Sequence, residues 1–344
     1  MIRVLVVDDS ALVQRVLTKE LTKAGDIEVV GTAVDPYVAR DRIAALKPDV
    51  ITLDIEMPRM DGLTFLEKLM AHHPLPVVIV SSLSQRQSPT ALRALALGAI
   101  EVVPKPGSQF STPDGDELVR AVRIAAGAKV RATAASPDRP AVKAPSILET
   151  TDKVIAIGAS TGGPRAVEAV LRGMPAACPG IVIAQHMPAY FTSQFATRLN
   201  AECPMEVREA KDGDVLVPGL ALLAPGGVHM VLVRSGGRYV AHLKDGPLVH
   251  YQKPAVDVLF HSVARCAGNN AVGAVLTGMG QDGAAGLLAM REAGAYTVAE
   301  AERTCTVYGM PRVAAEAGAA CDVVDLEDVA HALLSHIAAA APAR

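Results

Sequence analysis

The sequence contains no tryptophan, and aromatic residues make up only 3% of its 344 positions. Proteins that bind single-stranded nucleic acid stack bases on aromatic side chains, so this class of function is disfavoured. A formal net charge of −3 gives no strong attraction to nucleic acid or to an anionic membrane. The chain also lacks an apolar run of about 18 residues, the length that a membrane-spanning helix needs. We therefore expect neither a nucleic-acid partner nor membrane insertion.

Cysteine is scarce as well. The five cysteines are odd in number and show no Cys-x-x-Cys spacing, which argues against a disulfide framework and against a zinc site. The N-terminal segment leads from Met1 directly into a strand-like run and has no feature of a signal peptide. These absences predict a protein of the reducing cytoplasm, and we expect it to be a monomer.

The length and the apolar content, 50% of residues, suit two globular domains. In residues 1–125, short continuous apolar runs alternate with amphipathic segments. The runs are Val4–Val7, Ile27–Val30, Val50–Leu53, Val77–Val80 and Ile100–Val103. Continuous runs are typical of strands buried on both faces of a parallel sheet. We predict a doubly wound, flavodoxin-like α/β domain with five parallel strands.

Residues 126–151 are rich in alanine, proline, serine and basic residues and lack apolar periodicity, which indicates an interdomain linker. Residues 152–344 then begin with a strand, a glycine turn and a helix. The middle of this part, about 205–242, contains many glycines and short apolar runs, which we interpret as hairpins. The prediction for the second domain is an open, mostly parallel α/β sheet with an added β-hairpin region.

Polar residues follow the strands of the first domain. Asp8 and Asp9 end its first strand, Asp54 its third and Ser81 its fourth, and Lys105 follows the fifth. Because the carboxyl ends of parallel strands share one edge, these groups should lie together. Clustered carboxylates repel one another unless a cation joins them, and Mg²⁺ prefers oxygen ligands. One carboxylate could then attack a phosphoryl group whose charge the metal and the lysine neutralise.

The first domain resembles a response-regulator receiver. The residues that carry the likeness are Val-Val-Asp8-Asp9-Ser10, Leu-Asp54-Ile-Glu-Met-Pro-Arg-Met-Asp-Gly, Val-Ser81-Ser and Pro-Lys105-Pro. The resemblance implies phosphorylation by a histidine kinase. It also implies these roles: Asp54 as phosphoacceptor, Ser81 and Lys105 as phosphoryl relays, and Asp8, Asp9, Asp54 and the Glu56 carbonyl around Mg²⁺.

In the second domain, Gly158-Ala159-Ser160-Thr161-Gly162 fits Gly-x-Ser-x-Gly, the pattern of a nucleophilic serine on a strand-to-helix turn. A turn of this kind could instead hold a phosphate or dinucleotide, but Gly-x-Gly-x-x-Gly is not matched. Serine needs a base, and His186 follows the apolar run Ile181–Ala184. Asp282 would orient that histidine. The backbone N–H groups of Met279 and Thr161 are our candidate oxyanion donors.

The second domain resembles the catalytic domain of the chemotaxis receptor methylesterase and glutamine deamidase family. The likeness is dense over about residues 152–340 and includes Ile-Gly-Ala-Ser160-Thr-Gly-Gly-Pro, Gln-His186-Met-Pro, Ala-Pro225-Gly-Gly-Val-His229-Met and Leu-Thr-Gly-Met279-Gly-Gln-Asp282-Gly. It implies Ser160 as nucleophile, His186 as general base and acid, and Asp282 as the residue that orients it. It further implies demethylation of glutamate methyl esters, and deamidation of glutamines, on the cytoplasmic helices of chemoreceptors. No cofactor is expected for the hydrolysis.

Several alternatives stay open. A DNA-binding response regulator is disfavoured because no basic helix-turn-helix segment follows the first domain. A dinucleotide-dependent oxidoreductase lacks its glycine pattern. The remaining alternative is a catalytically inactive or non-chemotaxis response regulator of the same architecture.

Overall fold

The computed structural model describes residues 1–81, 88–105, 116–130 and 152–339. The chain divides into two compact units, Met1–Pro137 and Asp138–Arg344. Most of the predicted linker, from residue 131 to 151, lies outside the described residues, so its limits stay a prediction.

The first unit contains one parallel sheet of five strands in the order β2-β1-β3-β4-β5. Its strands are β1 (Ile2–Val7), β2 (Ile27–Ala33), β3 (Val50–Leu53), β4 (Val77–Ser81) and β5 (Glu101–Pro104). All residues of β3 and β4 are buried, as expected for strands covered on both faces. The predicted flavodoxin-like fold is confirmed.

Helices connect these strands, and side-chain caps mark where three of them begin. The helices are α1 (Ala11–Thr22), α2 (Pro36–Leu46), α3 (Gly62–His72), α4 (Ser88–Leu97) and α5 (Asp116–Ala126). Ser10, Asp35 and Asp61 each accept a hydrogen bond from a backbone N–H in the first turn of the helix that follows. The caps of α1 and α3 therefore fix where the chain turns away from the edge of the sheet that carries the acidic residues.

The second unit is built on a sheet of seven strands, all paired in parallel, in the order β15-β14-β13-β6-β7-β10-β8. Its strands are β6 (Val154–Ala159), β7 (Gly180–Gln185), β8 (Glu206–Glu209), β10 (Leu220–Leu223), β13 (Ala271–Val275), β14 (Tyr296–Glu300) and β15 (Asp322–Val324). The strands β7, β8 and β10 lie on one side of β6, and the later strands β13, β14 and β15 lie on the other side, so the direction in which strands are added reverses at β6. Such a reversal opens a crevice at the carboxyl ends of the strands.

A smaller antiparallel sheet has the order β11-β12-β9, with strands β9 (Asp214–Leu216), β11 (His229–Ser235) and β12 (Arg238–Lys244). The predicted hairpin region is therefore present, but it contains fewer of the strands between residues 205 and 242 than expected. Strands β8 and β10 belong to the parallel sheet instead. The physical reason is burial: Leu220–Leu223 is apolar throughout and buried at every position, which suits the interior of a parallel sheet.

The helices of the second unit are α6 (Gly163–Arg172), α7 (Ala189–Glu202), α8 (Val256–Ala267), α9 (Ala284–Glu292), α10 (Met310–Glu316) and α11 (Leu326–Ala339), with a short 3₁₀ turn at Gly268–Asn270. Helix α8 places Val256, Leu259, Phe260 and Val263 in the core, all fully buried. Within the described ranges, no helix is both long enough and apolar enough to cross a membrane.

Candidate active site

Ser160 lies on a tight turn between the buried strand β6 and helix α6. The turn closes through a hydrogen bond from the Gly163 N–H to the Ser160 carbonyl, at 2.7 Å. Gly162 caps the helix with φ of +78°, a conformation that glycine adopts without steric cost. A side chain there would also begin 2.5 Å from Thr306 Cβ. The serine is thus presented, half-buried, at the edge of the sheet.

His186 follows β7, the strand next to β6. The register pairs Ala159 with Gln185, the last residues of β6 and β7. Ser160 and His186 are therefore the first residues after two adjacent strands. His186 Nε2 lies 2.7 Å from Asp282 Oδ2, and both side chains are at least 95% buried. No hydrogen bond joins Ser160 Oγ to His186 among the described residues. The other ring nitrogen, Nδ1, is buried and has no hydrogen-bond partner there, which leaves it free to accept a proton.

Asp282 comes shortly after β13, the other neighbour of β6, and its carboxylate faces the start of α8. Oδ2 accepts the Val256 N–H at 2.7 Å, and Oδ1 accepts the Asp257 N–H at 2.9 Å. Burial opposes ionisation of Asp282, but the hydrogen bonds from His186 and from these two N–H groups prevail, so its pKa is below the usual value. The positive end of the helix dipole acts in the same direction. Asp282 is therefore a buried anion that holds the His186 ring.

Gln185 links the serine and histidine turns. Its Nε2 donates to the Ser160 carbonyl at 2.9 Å and to the His186 carbonyl at 3.1 Å. The Ser160 N–H donates to the Thr277 carbonyl at 3.0 Å, which ties the same turn to the segment that leads to Asp282. These bonds hold the three predicted triad segments together at one edge of the sheet.

The predicted oxyanion donors also lie beside the serine. A side chain on Gly278 would begin 2.6 Å from Ser160 Cβ, so the backbone next to Met279 passes directly against Ser160. Among the described residues, neither the Met279 nor the Thr161 N–H donates a hydrogen bond. Their role as oxyanion donors stays a prediction.

Glu300 is a further acidic group near the triad. It ends β14, is completely buried, and accepts the Thr277 N–H through Oε2 at 2.8 Å. Oε1 has no hydrogen-bond partner among the described residues. Burial raises the pKa of the Glu300 carboxyl to about 7, and the nearby Glu327 adds to the rise. Glu300 thus supports the segment that binds the Ser160 N–H.

The acidic residues of the first unit also come together. Oxygen atoms of Asp8, Asp9 and Asp54 lie within 4.8 Å of one another. Lys105 Nζ lies 2.8 Å from Asp8 Oδ2 and 2.8 Å from Asp54 Oδ2. The backbone N–H of Lys105 donates to the backbone carbonyl of the buried Ser81 at 2.8 Å. The predicted cluster of three carboxylates, one ammonium group and one hydroxyl-bearing residue is therefore assembled.

Electrostatics favour a cation at this cluster. Burial raises the pKa of Asp54, and the charge of Asp8 adds to the rise, although Lys105 and the Glu56 backbone oppose it. Burial alone would lower the pKa of Lys105, but Asp54 and Asp8 outweigh it and the pKa is raised. Three carboxylates facing one lysine keep an excess of negative charge. This donor set fits Mg²⁺, a hard cation that binds through oxygen.

Residues 155–333, more than half of the chain, match the family described as CheB methylesterase. The chain belongs to the CheB methylesterase family. Residues 4–112 match the response regulator receiver domain. The family membership and the two-domain α/β fold predicted from the sequence are both confirmed.

Similar proteins cover nearly the whole chain. A protein-glutamate methylesterase/protein-glutamine glutaminase 2 of Syntrophus aciditrophicus is 56% identical over 96% of this chain and 97% of its own length. A protein of the same name, numbered 4, from Anaeromyxobacter dehalogenans is 54% identical over 97% of this chain and 94% of its own. Among solved structures, the CheB methylesterase catalytic domain of Thermotoga maritima is 34% identical, with a TM-score of 0.53. It covers 54% of this chain and 99% of its own.

The sequence predicted no role for three residues of the candidate site, although two of them belong to segments that the resemblance includes: Gln185, Thr277 and Glu300. A signal existed for Gln185 and Glu300, since each ends a strand of the parallel sheet, as Ala159 does before Ser160. This signal could not place Glu300 near the serine, because only the strand order shows that β14 lies next to β13. The hydrogen bonds from the start of α8 to Asp282 had no sequence signal.

Proposed function

We propose that this chain is a protein-glutamate methylesterase in which Ser160, His186 and Asp282 hydrolyse γ-methyl esters of glutamate on chemoreceptors. The observation that carries the proposal is the buried His186–Asp282 pair, anchored on α8 and set beside the serine turn. The family relation supplies the substrate class. The reaction belongs to chemotaxis adaptation, and the proposal places the protein in the cytoplasm.

The first step is attack of Ser160 Oγ on the γ-carbonyl carbon. His186 Nδ1 takes the serine proton, while Nε2–H keeps its bond to Asp282. Asp282 stays ionised and stabilises the imidazolium. The Met279 and Thr161 N–H groups bind the oxyanion of the tetrahedral intermediate. Collapse of this intermediate breaks the bond to the methoxy group, which leaves as methanol with the proton from His186.

The second step regenerates the enzyme. A water molecule gives a proton to His186 and attacks the acyl-serine carbon, and the ester bond to Ser160 Oγ breaks. Ser160 recovers its proton from His186, and the glutamic acid side chain that is released gives its own proton to solvent and becomes the carboxylate. A glutamine side chain follows the same route with ammonia as the leaving group, so deamidation is part of the proposal.

The receiver unit supplies the regulation. We propose that Asp54 accepts a phosphoryl group from a histidine kinase and that this modification raises the rate of ester hydrolysis. Asp8, Asp9, Asp54 and the Glu56 carbonyl would hold Mg²⁺, which neutralises phosphoryl oxygens when bound. In this proposal Lys105, whose Nζ lies 2.8 Å from Asp54 Oδ2, pairs with the new phosphate, and the Ser81 hydroxyl donates a hydrogen bond to it.

The test is methanol release from methylated receptor membranes, with and without a small phosphodonor and Mg²⁺. Wild type should release methanol, and phosphodonor should increase the rate. Ser160→Ala should abolish release, whereas Ser193→Ala, a change at an exposed serine of α7, should not. Asp54→Asn should keep the basal rate and lose the increase. Absence of release from wild type under every condition would favour the inactive or non-chemotaxis alternative.

A further inference from the structure

The turn at residues 249–252 has an unusual backbone. Val249 and Gln252 pair as an isolated antiparallel bridge, and the two residues between them both have positive φ: 50° at His250 and 62° at Tyr251. Turns of this kind strongly favour asparagine and glycine. A histidine and a tyrosine there are strained, and strain of this sort clusters at functional sites.

His250, the first of the two residues with positive φ, makes contacts that explain its position. Its Nε2 lies 3.0 Å from Asp257 Oδ2, and its Nδ1 lies 3.4 Å from Gln281 Nε2. One ring nitrogen of His250 and one oxygen each of Asp257 and Asp282 lie within 4.8 Å of one another. The Asp282 oxygens are already engaged, so we assign no metal to this group. Instead, His250 anchors the turn beside the catalytic carboxylate.

Tyr251, the second of these two residues, is 91% exposed. Among the described residues it has no hydrogen-bond partner and no ring contact. Its aromatic ring therefore contributes nothing evident to the fold, although the backbone is strained at its position. Two more exposed apolar residues are close in sequence to residues named above. Leu248 comes directly before the turn, and Met279 lies two residues before Gln281.

We propose that Tyr251 is a substrate-docking residue that packs against the polypeptide flanking the methyl-ester side chain. This inference rests on the proposed function and deepens it. An enzyme that acts on a side chain of a protein gains specificity from contacts remote from the reacting bond. An exposed tyrosine is suited to such a contact because it offers a large, rigid apolar surface with a polar tip. The anchor on Asp257 holds this surface at a fixed position relative to the triad.

The experiment compares two substrates in the full-length enzyme: methylated receptor and N-acetylglutamate γ-methyl ester, which has no flanking polypeptide. The informative change is Tyr251→Asn, because asparagine tolerates positive φ and the turn keeps its backbone. We expect KM for the receptor to rise about tenfold at unchanged kcat, the size of one hot-spot contact. Kinetics on the small ester should not change. Tyr251→Phe should restore most of the receptor KM, and Val217→Ala, at another exposed apolar side chain, should have no effect.

An unchanged receptor KM in Tyr251→Asn would overturn the inference while leaving the proposed function intact. An equal loss on both substrates would also overturn it, because Tyr251 would then support the site and not the substrate. A different sedimentation coefficient for Tyr251→Asn than for wild type would overturn it as well, because the turn would then form a contact between copies of the chain. Failure of the wild type on both esters would instead refute the proposed function itself.

Discussion

Replacement of Glu300 by glutamine should make the second unit more stable at alkaline pH. The carboxyl is completely buried, and its pKa is about 7 in the folded protein against an ordinary value of 4.5. Between these two values the unfolded chain ionises while the folded chain stays protonated. The free energy of unfolding therefore falls as pH rises from about 4.5 to 7 and levels off above that. Glutamine keeps an acceptor for the Thr277 N–H and never ionises.

The magnitude follows from linkage. At 1.36 kcal/mol for each tenfold change in proton affinity, the folded protein loses about 3 kcal/mol of stability by keeping this acid buried at high pH. Glu300→Gln should recover about that amount at pH 8.5 and almost nothing at pH 4.5. For a unit of this size, the gain corresponds to a rise of roughly 6–12 °C in melting temperature.

Differential scanning calorimetry of the full chain between pH 4.5 and 8.5 measures this difference. The control is Glu292→Gln, which removes an exposed carboxylate of α9 and should leave the melting temperature unchanged at every pH. A melting-temperature difference between Glu300→Gln and wild type that does not grow with pH would refute the reasoning. It would mean that the pKa of Glu300 in the folded protein is close to the ordinary value, as for an exposed acid.

Three further changes test the two sites. Asp282→Asn should lower kcat for methanol release by roughly 10³–10⁴-fold, because the amide cannot stabilise an imidazolium; a loss below tenfold would contradict the triad. Gly278→Ala places a methyl group 2.6 Å from Ser160 Cβ and should lower kcat at least about tenfold, whereas Gly237→Ala, with open space around it, should be silent in the same assay. Lys105→Met should slow labelling of the receiver by a small phosphodonor about tenfold or more, measured as bound phosphate; an unchanged rate would exclude the lysine from phosphoryl transfer.

That Ser160, His186 and Asp282 lie together, and that the acidic residues of the first unit do so, could be predicted because each residue closely follows a strand recognisable from its apolar run. Val154–Ala159 and Gly180–Gln185 are buried at every position, so the polar residues that follow them stand out. Parallel strands then bring such residues to one edge without any knowledge of the full strand order.

Other parts of the site depend on that order and were not predictable. That Glu300 supports Thr277 follows from the pairing of β14 with β13. The assignment of Leu220–Leu223 to the parallel sheet follows from its pairing with β7. In both cases the local sequence is compatible with several neighbours, and tertiary packing selects one of them.

The bonds between Asp282 and the start of α8 have a consequence for how the family can lose its activity. Ala255, which precedes α8, gives that helix no side-chain cap, and the Asp282 carboxylate accepts hydrogen bonds from two of the N–H groups in its first turn instead. A lineage that abandons hydrolysis can discard Ser160 at little structural expense, but loss of Asp282 would leave a buried helix end unsatisfied. Relatives that have become inactive should therefore retain the aspartate after the serine or the histidine has drifted.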